Sequence, residues 1–129
     1  MRRTLIETEG VKSAEGRYYS PGLRAGDWMV LSGQVPLGED GKTVSTDAAT
    51  QWRQCLDNIR ALLESAGASM DDVVMCNVFV TDMRHYLNHQ EIRREYFSEP
   101  YPISTAIGGI SLAREEWLIE IEAWAHVGD

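Results

Sequence analysis

The sequence is poor in cations, in paired cysteines and in long apolar runs, and each shortage removes a class of function. Its 12 lysines and arginines face 20 acids, a formal net charge of −8. Binding to phosphate backbones needs a basic stripe, so nucleic acid is not an expected partner. Anionic membrane surfaces are disfavoured for the same reason. No apolar run approaches the ~20 residues that span a bilayer, so no membrane partner is expected. Only two cysteines are present, Cys55 and Cys76, and they form no CxxC. Cys55 falls in a helical pattern and Cys76 in a strand pattern, the usual setting of buried free thiols. Of three histidines, His85 and His89 are spaced i, i+4. No HExxH and no third ligand accompanies them, so no metal is expected. The start, Met1-Arg2-Arg3-Thr4, leads into no apolar signal-peptide core, which predicts a cytoplasmic protein.

What is present describes an ordinary globular chain. It has 129 residues, 43% hydrophobic and 25% charged, enough for one domain over 1–129 with a real core. No internal repeat, linker or low-complexity segment divides it.

The chain is organised around its last strand, Trp117 to Ala125. Alternate residues of a strand face opposite sides. Ile119, Ile121, Ala123 and Ala125 form one apolar face that needs cover. Leu118, Glu120, Glu122 and Trp124 form the other, with two carboxylates roughly 6–7 Å apart. Leu118 and Trp124 imply partial cover of that second face as well. A covered carboxylate beside another has a raised pKa and can exchange protons near neutrality. The competing view is a surface strand whose charges act as gatekeepers.

Upstream, Thr4-Leu5-Ile6 reads as a first strand. Gly16 to Gly26 reads as a bulged or edge strand around Pro21-Gly22, and Gly26-Asp27 as a hairpin turn into Trp28-Met29-Val30-Leu31. A glycine in Ser32-Gly33-Gln34 lets a backbone or ligand approach closely. Ser45, Thr46 and Asp47 offer N-caps for a long helix. Its stripe is Trp52, Cys55, Leu56, Ile59, Leu62, Leu63 and Ala66, and Gly67 ends it. Val73 to Val80 is a strand rich in β-branched residues. Asp82 opens a second helix with a stripe of Tyr86, His89, Ile92, Tyr96 and Phe97, stopped by Pro100-Tyr101-Pro102. Ile103 to Ile107 is a strand, and Gly108-Gly109 breaks it. The expected fold is α+β, with two helices covering one face of one mixed sheet. The other face is left open, and its aromatic and aliphatic groups predict association.

Several of these segments, in order along the chain, resemble the RidA/YjgF (reactive intermediate deaminase) family. They are Tyr19-Ser20, Ser32-Gly33-Gln34, the helix Asp47–Gly67, Ser69 to Val74, Phe79 to Met83, Tyr96-Phe97 and Ile119-Glu120-Ile121-Glu122-Ala123. The resemblance implies a chorismate-mutase-like fold, a homotrimer and small-molecule sites in clefts between subunits. It implies hydrolysis of reactive imines and enamines to keto acids and ammonia, without a metal or organic cofactor. Glu120 matches the acidic residue that orients or activates water. Tyr19, Ser32 and Gly33 match residues beside the ligand, and Gln90 stands where an asparagine usually lines the cleft.

The defining arginine of that family follows Pro-Ala and precedes Ser or Thr. Here the segment reads Pro102-Ile103-Ser104-Thr105-Ala106-Ile107. Ser104 takes the arginine position, and Ala106 a position that is often cysteine. Thr105 lies between them, and Ser104 and Thr105 offer neutral hydrogen bonds. A serine hydroxyl cannot replace the bidentate, charge-assisted grip of a guanidinium on a carboxylate. Weak turnover of standard 2-imino acids is therefore expected, unless Arg17, Arg93 or Arg114 lends a charge. An enzyme with Glu120 as general base, acting on a small imine, enamine or related C–N compound without the usual carboxylate, is the first expectation. A ligand-binding trimer without turnover is the alternative. An RNA-directed role, which older labels of the family suggest, is opposed by the acidic balance.

Overall fold

A computed structural model describes residues 2–128. Six strands form one sheet in the order β1-β2-β3-β6-β4-β5. They are β1 (Arg3–Ile6), β2 (Gly22–Ala25), β3 (Trp28–Gln34), β4 (Val73–Val80), β5 (Ala106–Ile107) and β6 (Ile119–His126). All pairings are antiparallel except β4 with β5, so the sheet is mixed. The β2–β3 hairpin closes at Ala25↔Trp28 through Gly26-Asp27. Gly26 takes φ +62°, the glycine-favouring conformation that a two-residue hairpin needs at its first central position.

The apolar face of β6 is buried as its alternation requires. Ile119, Ile121, Ala123 and Ala125 are at most 1% exposed. They pack under α1 (Ala48–Ser65) with Met29, Leu31, Cys76, Val78 and Val80. Asp47 caps α1 by accepting from the Thr50 amide at 2.9 Å and the Thr50 hydroxyl at 2.8 Å. At the other end Gly67, φ +85°, donates its N–H to Glu64 and Ala68 donates to Leu63, which is a Schellman closure. The stripe Trp52, Cys55, Leu56, Ile59, Leu62 and Leu63 is fully buried.

The second helix is shorter than its stripe predicts. α2 covers only Met83–Leu87, and Gln90–Glu95 continues as a 3₁₀ segment. His89 between them adopts φ −134°, ψ 4°, outside helical geometry. Ile92 and Phe97 are still buried, whereas His89, Tyr86 and Tyr96 are only half-buried. β5 is also shorter than expected. Met75 bridges Ile103, and the Thr105 N–H is taken by the Asn77 side chain at 3.0 Å rather than by the ladder.

Among the described residues, no helix covers the far face of the sheet. Trp28 and Trp124 are each 41% exposed there, in edge-on contact at 6.0 Å, with His126 4.8 Å from Trp28.

Candidate functional site

Glu120 and Glu122 both point to the far face, but into different surroundings. Glu120 pairs with Phe79, and Glu122 with Asn77, across the β4–β6 ladder. On the other side, β3 bulges between Leu31 and Gln34, which places Gly33 over Glu120. A Cβ on Gly33 would stand 2.7 Å from Glu120 Oε1 and 2.8 Å from its carboxyl carbon. The missing side chain is therefore what admits the carboxylate. Burial, and then the negative charge of Glu122, raise the pKa of Glu120 above the usual glutamate range. Glu122 instead accepts a hydrogen bond from Asn77 Nδ2 at 3.2 Å.

Glu120 opens into a cleft of about 530 Å³ with Tyr19, Ser32, Gly33, Arg17, Arg114 and Trp117 in its walls. Buried amides fix the surrounding backbone. Gln51 donates to Ser45 O and Glu116 O at 2.8 and 2.9 Å and accepts from the Leu118 N–H at 2.8 Å. Asn58 donates to Val35 O and Leu37 O, both at 3.1 Å. Ser32 spends its proton on the carbonyl of Ser20, and its N–H bonds Pro21 O at 2.8 Å. Ser32 thus holds the loop that carries Tyr19 at the rim, where Tyr19 is 60% exposed.

Gln90 and Ser104 are not in that cleft. They line a second one, of about 560 Å³, with Tyr86, Arg93, Phe97 and Tyr101. This cleft lies at the β5 edge, with β4 between it and the β6 strand that carries Glu120. Thr105 and Ala106 lie beside it in the chain but line neither cleft. Thr105 is instead tied through Asn77 to Glu122.

Arg93 is the best-anchored group of the second cleft. It donates to Tyr86 Oη at 2.8 Å, Gln90 Oε1 at 3.1 Å, Gln90 O at 3.2 Å and Ser104 Oγ at 3.1 Å. Its guanidinium lies 5.1 Å from the Tyr86 ring and 5.9 Å from the Trp52 ring. Cys76, at the back of the cleft, is buried and free. Burial pushes its thiol up to about 12, against a smaller lowering by Arg93. Cys55 is likewise buried and free, raised well above the thiol range by burial. Neither thiol is an available nucleophile. Among the described residues, no three His, Cys, Asp or Glu side chains converge as a metal site would need, and no helix is long and apolar enough to cross a membrane.

Asn77 and Tyr86 escape motif matching, yet each has a signal. Asn77 is a lone amide in the apolar run Val73–Val80, and Tyr86 lies on a core stripe with a hydroxyl to satisfy.

Comparison with known proteins adds four findings. The family model of endoribonuclease L-PSP matches residues 11–127. A RutC family protein of Pyrococcus horikoshii is 37% identical over 96% of this chain and 98% of its own length. A 2-iminobutanoate/2-iminopropanoate deaminase of Escherichia coli K12 is 34% identical over 93% of this chain and 94% of its own. Among solved structures, the Rid-family protein YyfA of Yersinia pestis superposes with a TM-score of 0.90 at 32% identity, covering 98% of this chain and all of that one.

Proposed function

This chain belongs to the RidA/YjgF family, and from that premise we propose that it hydrolyses a small imine or enamine in clefts shared between copies of itself. The observation that carries the proposal is the setting of Glu120. Its carboxylate is half-buried against Gly33, faces a cleft, and has a raised pKa. A carboxyl tuned toward neutrality can both take and return a proton.

The chemistry follows from that ability. Glu120 removes a proton from a water molecule as the water oxygen attacks the carbon of the C=N bond in its protonated, iminium form. The resulting carbinolamine carries its amine on a tetrahedral carbon. Glu120 then returns the proton to that nitrogen. The C–N bond breaks, ammonia leaves, and loss of the hydroxyl proton completes a carbonyl. An enamine first takes a proton on carbon from the protonated Glu120 to become the same iminium. Each step balances with water and one carboxyl group, so no metal or organic cofactor is called for. Tyr19, held at the rim by Ser32, offers a hydroxyl to the developing charge.

The two clefts of one chain are separated by a strand, so one small substrate cannot touch both. Two unlike patches that must meet define a head-to-tail contact, which closes into a ring. We take that ring to be a trimer with a chorismate-mutase-like arrangement, its sheets inward. Trp28 and Trp124 on the uncovered face support it, since exposed aromatic patches mark association surfaces. The charge of −8 supports a reading without nucleic-acid or anionic-membrane partners, and we place the protein in the cytoplasm.

The test generates 2-iminobutanoate in the presence of wild-type protein and follows its decay to 2-oxobutanoate. Acceleration that is lost in Glu120→Gln supports the proposal. An imine lifetime unchanged by wild-type protein supports binding without turnover, the reading that Ser104 in the arginine position favours.

A further inference from the structure

We infer that Arg93 supplies the fixed cation that grips the substrate's carboxylate, with Ser104 as its partner, in place of an arginine at position 104. This rests on the proposal that the two clefts together serve one small-molecule site. Arg93 comes from a different element, the 3₁₀ segment Gln90–Glu95, and reaches the β5 edge from the helix side. Its Nη1 donates to Ser104 Oγ at 3.1 Å, so the cation arrives beside the residue that lacks one.

The donor inventory explains how the grip works. A guanidinium has five N–H donors. Four are committed: Nε to Gln90 O, Nη2 to Tyr86 Oη and Gln90 Oε1, and Nη1 to Ser104 Oγ. The fifth, on Nη1, is free. Ser104 accepts from the cation, which leaves its own proton to donate. One charged N–H and one hydroxyl polarised by the same cation therefore sit side by side. They form a two-point, charge-assisted recognition of a carboxylate.

The charge of Arg93 is also uncompensated. The ion pairs among the described residues join Arg53 to Glu95, Arg60 to Asp57 and Arg84 to Asp82. Arg93 is half-buried and meets only neutral acceptors and two ring faces. Taking a cation out of water without an anion is costly, and an anionic ligand removes that cost. Glu91 and Arg94 stand on the exposed rim of the same cleft and are free to orient toward solvent.

The other candidate cations are less fixed. Arg17 is exposed, and among the described residues its side chain makes no hydrogen bond. Arg114 is exposed, lies 5.1 Å from the Trp117 ring, and makes one long bond of 3.4 Å to Gly41 O. Both line the Glu120 cleft. Leu87, Phe97 and Tyr101 give the Arg93 cleft an apolar wall. The ligand it fits is a small carboxylate with a short apolar side chain.

The experiment measures calorimetric binding of 2-oxobutanoate, and of its neutral amide, to the intact oligomer. Arg93→Gln is expected to weaken the carboxylate by about tenfold or more while leaving the amide within about twofold, since a charged hydrogen bond is lost and a neutral one is not. Arg93→Lys keeps charge without the fork and is expected to fall between the two. Thermal melting of each variant identifies a collapsed fold, and Arg93→Lys carries the test if Arg93→Gln melts early. Unchanged carboxylate affinity in a folded Arg93 variant overturns the inference. So does an equal loss for carboxylate and amide, which marks a merely structural residue. Loss of carboxylate binding in Arg17→Gln or Arg114→Gln, with Arg93→Gln unaffected, also overturns it. Failure of the deaminase reading looks different: the carboxylate still depends on Arg93, but wild-type protein turns nothing over.

Discussion

The two clefts of this chain are close in size and opposite in chemistry. One is built around a carboxylate whose walls carry exposed, loosely held arginines, Arg17 and Arg114, the other around a guanidinium that makes no ion pair among the described residues. In the first, Gly33 and a strand bulge make room for Glu120, and burial raises its pKa. In the second, Tyr86, Gln90 and Ser104 hold Arg93 by neutral hydrogen bonds. Neither holds a half-buried base and a well-anchored anion grip together. The difference teaches that the reacting group and the recognising group are placed by different elements, β6 and the 3₁₀ segment. Each can therefore be altered alone, and the following changes do so, from the largest effect to the smallest.

Glu120→Gln removes the base and leaves the grip. Turnover should fall by ~10²–10⁴, the worth of a positioned general base, while 2-oxobutanoate binding changes little. The same variant should gain stability. A buried carboxylate whose pKa is raised on folding costs the folded state when ionised. That cost is present above the raised pKa and absent below the ordinary glutamate range. The stability gap between Glu120→Gln and wild type should therefore be open at neutral pH and close on acidification, as read by melting at several pH values.

Gly33→Ala tests the placement of that base without removing it. The new Cβ meets Glu120 Oε1 at 2.7 Å. The group in the way is the end of a flexible side chain, so the fold should persist and the carboxylate should swing aside. A displacement near 1 Å at a reacting group can cost ~10²-fold in rate, and a fall of about 10–100-fold in kcat is expected. Unchanged kcat would show that Glu120 acts from another rotamer.

Ser104→Ala acts on the other cleft. It removes one hydroxyl from the grip but frees an Arg93 N–H that can partly replace it. KM for a 2-imino acid should rise about threefold to tenfold, near 1 kcal/mol for one hydrogen bond, with kcat nearly constant. A larger loss in kcat than in KM would place Ser104 at the reacting carbon instead.

Glu122→Gln should be the mildest. Glu122 is engaged by Asn77 and acts on Glu120 only as a like charge that raises its pKa. Without that charge Glu120 ionises at lower pH. The acid limb of the kcat/KM profile should shift to lower pH, and the plateau rate should hold. Equal losses in Glu120→Gln and Glu122→Gln would mean a coupled pair rather than one base.

Much of the fold was legible before any coordinates. The alternation of Ile119 to Ala125, the Asp47 cap, the Trp52-to-Leu63 stripe and the Gly26-Asp27 turn are local patterns, and local patterns survive folding. The break after Leu87 was not legible, because the stripe from Tyr86 to Phe97 fits one helix in register. Burial of Ile92 and Phe97 is met as well by a 3₁₀ segment after a non-helical His89. The site was legible in halves. Glu120, Gly33, Ser32 and Tyr19 converge, as do Gln90 and Ser104, but no linear pattern tells that the halves sit on opposite sides of β4. The serine at position 104 points to Arg17, Arg93 or Arg114 as a source of charge, but only the fold tells that Arg93 is the one bonded to Ser104.

The central claim is that each site joins the Glu120 cleft of one chain to the Arg93 cleft of another. Subunit mixing tests it most directly. Glu120→Gln and Arg93→Gln proteins, each impaired alone, are unfolded together in equal amounts, refolded and assayed for imine hydrolysis at substrate below the wild-type KM, against each parent. In a head-to-tail ring, about one site in four pairs an intact Glu120 with an intact Arg93, so about a quarter of wild-type activity should return. If both residues served from the same chain, no mixed oligomer would hold an intact site. A mixture no more active than its parents would contradict the account.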